Sequence, residues 1–164
     1  MAFNTIETRL WMWGFATTGQ LGDNTRVNKS SAVQTIAGGT DWKQVSAAGN
    51  SGYAAAIKTD GTLWCWGLNS SGQLGNNTTT NRSSPVQTVA GGTDWKQLSA
   101  RGTQMAAIKT DGSLWGWGLN TSGQLGDNTV VRRSSPVQTV AGGTNWKYVS
   151  AGYLHIIALK EDLL

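Results

Sequence analysis

SLWGWGLNTSGQLGDNT occupies residues 113–129, and near copies stand at 62–78 (TLWCWGLNSSGQLGNNT) and 9–25 (RLWMWGFATTGQLGDNT). The periodicity continues outward. SSAVQTIAGGTDWK at 30–43 returns as SSPVQTVAGGTDWK at 83–96 and SSPVQTVAGGTNWK at 134–147. AAIKTDG at 55–61 is repeated at 106–112, with IALKEDL at 157–163 as the third version. All nine tryptophans fall into three slots: Trp11/Trp64/Trp115, Trp13/Trp66/Trp117 and Trp42/Trp95/Trp146. The chain is therefore one unit of about fifty residues written three times, starting near 9, 62 and 113, with two extra residues in the first copy within AAGNSGY at 47–53.

Within a unit every short apolar run reads as a strand. VQTVA, WKQLSA, AAIKT and SLWGW are rich in Val, Ile and Trp, which suit a pleated, half-buried surface. Thr-Asp-Gly between the last two is a tight turn, since Gly accepts positive φ and Asp bonds its own turn backbone. Ala-Gly-Gly-Thr supplies another turn, and the polar stretch through GQLGDNT links one unit to the next. Four strands in a repeat of this length predict a β-propeller blade. No helical period appears. LWCWG alternates, so Trp64 and Trp66 face one way and Leu63 and Cys65 the other. Both faces of a propeller strand lie between blades, so the tryptophans are expected in the core.

These motifs resemble the regulator-of-chromosome-condensation repeat family. The residues carrying the resemblance are Asp111, Gly112, Trp115, Trp117, Gly118, Asn120, Gly123, Gln124, Leu125, Gly126, Pro136 and Val137, with counterparts in the other copies. The resemblance covers essentially the whole chain and implies an all-β propeller. Members of the family usually carry seven blades in one chain, whereas three repeats are written here. The family's histidine is present only as His155, with Gln104 and Tyr53 at the equivalent positions. The family includes exchange factors for small GTPases, chromatin binders and β-lactamase inhibitors, and none of these activities transfers by resemblance alone.

The chain opens on the last strand of a unit, TRLWMW at 8–13, and ends on the third, HIIALK at 155–160. The Thr-Asp-Gly hairpin between those strands is replaced by two ends, IET at 6–8 and EDLL at 161–164. One blade is thus expected to be split, and an unpaired Trp-rich edge invites association. A head-to-tail homodimer would give a six-bladed ring. Its closure residues are Arg9, Leu10 and Trp11 on one side and His155, Ile156, Ile157, Ala158 and Leu159 on the other.

Little in the composition suggests chemistry. Seven of nine carboxylates recur in repeat slots, and Asn76 and Asn145 substitute in two of them, which fits a turn role and not a required charge. One His and one Cys cannot form a zinc site, and GQLGDN lacks the Lys-Ser/Thr ending of a phosphate loop. No catalytic residue, cofactor or metal is expected. The start of the chain does not read as a signal peptide and no apolar run approaches a membrane span, so the default location is cytoplasmic.

The copies differ mainly in two loops. One joins the second and third strands, and it supplies the candidate partner-binding residues Asn50, Tyr53, Arg101, Gln104, Tyr153 and His155. Loops on a rigid scaffold are where partners are normally engaged. The expectation is a binding or scaffold propeller for an unidentified protein. A multivalent lectin using Trp and Asn pockets is the alternative. The net charge of +4 admits an electrostatic nucleic-acid binder as a third reading, less favoured. The near-identity of the copies points to recent duplication or to design.

Overall fold

The computed structural model describes residues 7–161. It contains twelve strands: β1 (Trp11–Gly14), β2 (Lys29–Gln34), β3 (Trp42–Ala47), β4 (Tyr53–Lys58), β5 (Leu63–Gly67), β6 (Arg82–Gln87), β7 (Trp95–Arg101), β8 (Gln104–Lys109), β9 (Leu114–Gly118), β10 (Arg133–Gln138), β11 (Trp146–Ala151) and β12 (Ile156–Lys160). They form antiparallel sheets, two of them four-stranded in the orders β3-β4-β5-β6 and β7-β8-β9-β10. Two further sheets, β1-β2 and β11-β12, have two strands each.

In each four-stranded sheet the second and third strands are joined by Thr-Asp-Gly. The Asp60 carboxylate accepts the backbone N–H and hydroxyl of Thr62, at 2.9 and 2.7 Å. Gly61 sits at φ +81°, and a Cβ there would run into the Thr93 carbonyl. The fit is tight because this turn docks on the next sheet: Gly61 accepts the Trp95 N–H at 3.0 Å, and Gly112 accepts that of Trp146 at 3.1 Å. Thr8 does the same for Trp42 at 3.3 Å. Glu161 in turn donates its N–H to Asn145 as Thr59 does to Asp41 and Thr110 to Asp94. Both halves of the absent turn are therefore held in place.

The sheets stack through β3, β7 and β11. Gln44 both donates to the Leu98 carbonyl and accepts the Leu98 N–H, at 3.0 and 3.1 Å, and Ser46 accepts from Ala100. Gln97 likewise accepts the Val149 N–H and Ser99 that of Ala151. Between the sheets lies a core that includes Tyr53, Ile57, Leu63, Cys65, Leu98, Met105 and Trp117. Trp42, Trp66, Trp95 and Trp117 are buried, in line with the core expected for the tryptophans, and Trp64, Trp115 and Trp146 are half-buried, but Trp11 and Trp13 are exposed. They carry the same pattern and lack the neighbouring strand that covers their equivalents. For the same reason β1 begins at Trp11, later than the stretch from Thr8 that the sequence suggests: only β2 pairs with it.

Candidate functional site

The connector between sheets is organised by one asparagine. Asn120 donates through Nδ2 to the Asp127 carboxylate and to the carbonyls of Thr129 and Val131, while its Oδ1 accepts the Leu125 N–H. Asn69 repeats the pattern with Asn76, Thr78, Thr80 and Leu74. The first copy departs from it: Ala16 stands where Asn69 and Asn120 do, and Ala32 where Pro85 and Pro136 do, so two of the motif positions have no counterpart there. Asp127 is buried, which pushes its carboxyl up. Thr129, Arg133 at 2.7 Å and Asn120 together outweigh that and bring it to about 2. Asn76 makes the corresponding turn bonds without charge, so this slot serves the turn.

The loops joining β3 to β4, β7 to β8 and β11 to β12 gather at one end of the stack. Asn50, Arg101 and Tyr153 line a cavity of about 460 Å³ there, with Arg101 the only charged group lining it among the described residues. The structure separates the other three loop candidates from this cluster. Tyr53 is buried and its hydroxyl donates to the Gln104 carbonyl, with burial pushing its ionisation upward. Gln104 is buried and donates to the carbonyls of Gly152 and Tyr153, at 2.9 and 3.0 Å. These two side chains fasten one sheet to the next and offer no surface to a partner. His155 is exposed, beside a different cavity that Gln124, Gly126 and Trp146 also line. The signal that separates Tyr53 and Gln104 from the rim was their strand position, since β4 and β8 begin on them.

Trp42 and Trp95 donate their indole N–H groups to Gly38 and Gly91 and lie beneath Lys58 and Lys109, whose ammonium groups are each 4.9 Å from the ring centroid. Neither ring is left open to stack on a sugar. The same lysines also pair with Asp41 and Asp94. Much of the positive charge is thus absorbed in packing and ion pairs. Among the described residues no group of three or more His, Cys, Asp or Glu could hold a metal ion, and no helix is long and apolar enough to cross a membrane.

The repeat described as "Regulator of chromosome condensation (RCC1) repeat" matches residues 60–107 and 111–159, and a second form of it matches 42–73. The chain belongs to the RCC1 repeat family. It is 29% identical over 160 residues to human "Probable E3 ubiquitin-protein ligase HERC6", covering 94% of this chain and 16% of that protein. It is 27% identical over 159 residues to the Arabidopsis thaliana "Ultraviolet-B receptor UVR8", covering 96% of this chain and 36% of that one. The chain therefore spans well under two thirds of these relatives. Among solved structures, human WBSCR16 superposes with a TM-score of 0.72 at 21% identity, over 88% of this chain and 38% of that one. Yeast RCC1 (Prp20), solved bound to Kap60, gives 0.74 at 16% identity, over 94% and 38%. At such identities these structures speak for the RCC1 propeller fold.

Proposed function

We propose that the chain is a non-catalytic, protein-binding propeller module whose ring is completed head to tail by a second copy. One observation carries the closure. Among the described residues β1 and β12 each present an unpaired edge, and they are the two halves of a pair found intact twice in the same molecule, as β4-β5 and β8-β9. By that register Ile156 would face the partner's Trp13, Ile157 its Met12, Ala158 its Trp11 and Leu159 its Leu10. Two copies would contribute six blades, the split blade being shared. The protein partner would meet the rim formed by Asn50, Arg101 and Tyr153, where the Arg101 guanidinium favours an acidic segment. Prp20, a fold neighbour, has been crystallised with Kap60, which supports reading the propeller as a protein-binding surface. Light scattering tests closure directly: the expected mass is about twice the 17.4 kDa of one chain, and a stable single-chain mass at high concentration overturns it.

A further inference from the structure

The inference deepens the ring-closure reading and rests on it. Two hollows flank the open faces: one of about 550 Å³ lies beside β11-β12 and one of about 240 Å³ beside β1. What fills the larger can be read from junctions the chain already contains. Trp66 donates its indole N–H to the Gln20 carbonyl at 2.9 Å, and a Cβ on Gly22 would stand 3.0 Å from that nitrogen. Trp117 donates to the Gln73 carbonyl at 3.0 Å, and a Cβ on Gly75 would stand 2.7 Å from its nitrogen. Gln124 and Gly126 form the third such cradle. Gly126 has φ +64°, as Gly75 does, yet a Cβ there would meet nothing nearer than Thr139 at 3.8 Å. The tryptophan that belongs to this series is Trp13, which is 65% exposed.

We propose that the Gln124–Gly126 cradle is a socket for Trp13 of a second copy, whose indole N–H is received by the Gln124 carbonyl. Two independent contact series agree. Asn24 and Asn77 donate backbone N–H groups to the carbonyls of Ser83 and Ser134, at 2.9 and 2.8 Å. Asn128, at φ 59° like its equivalents at 62° and 57°, is set to address the partner's Ser30 in the same way. Lys58 and Lys109 each lie over two rings, Trp42 with Trp64 and Trp95 with Trp115. Lys160 lies over Trp146 alone, 5.5 Å from its centroid, and the missing ring is the partner's Trp11. A single displacement, one blade onward around the ring, satisfies all three.

The test measures the dissociation constant of the full chain by sedimentation, with Trp13→Ala, Trp13→Phe and a Met12→Cys/Ile157→Cys pair placed in a Cys65→Ala background. Because Trp13 is exposed, neither of its substitutions disturbs the single chain. The socket requires Trp13→Ala to weaken association by about 30-fold or more at each of the two junctions, about a thousandfold in all, as for a buried aromatic anchor. Trp13→Phe, which keeps a ring and loses the donor, should weaken it about 5-fold at each of the two junctions, about 25-fold in all. If the wild type dimerises, the disulfide links two copies, and Trp13→Ala associates unchanged, then the socket is refuted while ring closure stands. If the wild type remains a single chain, both fail.

Discussion

Leu159→Lys should dissociate the assembly without unfolding the chain. Leu159 is 65% exposed and Ile157 63%, whereas Ile57 and Ile108, which occupy the Leu159 row in the complete sheets, are exposed by 1% or less. Burying a whole leucine side chain stabilises by roughly 1.5–3 kcal/mol, so covering the exposed two thirds of Leu159 contributes about 1–2 kcal/mol. A two-chain ring contains the junction twice, which makes the loss about 2–4 kcal/mol. Lysine adds the further cost of burying an unpaired ammonium group. At 1.4 kcal/mol per tenfold, the dissociation constant should rise at least 30-fold and up to about a thousandfold. Sedimentation across a dilution series measures it, and a thermal melt at the lowest concentration shows that the single chain is intact. Ile57→Lys, the same chemistry in a buried row, should instead abolish folding. Unchanged association of Leu159→Lys would mean that the β12 edge is not the closure surface.

Asp127 predicts an acid-sensitive component of stability. Its folded value of about 2 lies below the ordinary 3.8, so the contribution is complete above pH 4 and disappears as pH falls from about 4 to about 2. The shift corresponds to about 2 kcal/mol, and Asp127→Asn should remove that acid dependence while costing about 1 kcal/mol at neutral pH, measured by urea titration at each pH. Cys65 is buried, which pushes its thiol ionisation up, so it should resist a soluble alkylating reagent in the native chain and react at once in denaturant. Gly112→Ala would set a Cβ against the Thr144 carbonyl at a position with φ +81°, and should lower the midpoint of thermal unfolding by about 5 °C or more, on the order of 2 kcal/mol or above. Tyr148→Gln should tighten self-association about 5-fold at each of the two junctions, about 25-fold in all by sedimentation, since it restores the amide that Gln44 and Gln97 use against the next inner strand.

The blade pattern was legible because each of its parts has a local cause. Gly61 and Gly112 mark turns whatever surrounds them, and the alternation in LWCWG assigns two faces to a strand before its neighbours are known. The fate of a given copy was less legible, because it depends on what stands beside it. Trp13 and Trp66 have the same local sequence, and only the presence of the preceding strands separates an exposed ring from a buried one. The loop candidates divide on the same ground. Asn50 and Tyr153 lie between strands and Arg101 ends β7, and all three reach the rim, while Tyr53 and Gln104 are first residues of strands whose side chains turn inward onto the following sheet. Variation between copies flagged these five and His155 alike, since a fastening that uses a tyrosine hydroxyl at one junction and a glutamine amide at the next varies as much as a binding loop does.

Repetition also fixes how strongly two copies can hold together. The contacts proposed between copies are those already made twice within one chain, but the thermodynamic setting differs. Within the chain, the connectors hold successive sheets side by side, and each junction forms at a high effective concentration. Between chains, the same contacts must also offset lost translational and rotational freedom, roughly 4 kcal/mol or more at the standard state. A ring of two chains meets that cost once and forms two junctions, so the second junction closes intramolecularly. The inner strand at this junction also departs from the other two: Tyr148 replaces the glutamine clip, and Val45, which would receive it, is 56% exposed where Leu98 and Val149 are buried. A weaker inner contact compensated by a deep tryptophan socket gives an assembly that separates at its chain boundaries before any blade unfolds, and that order of events distinguishes closure by a second copy from a fold that merely has frayed ends.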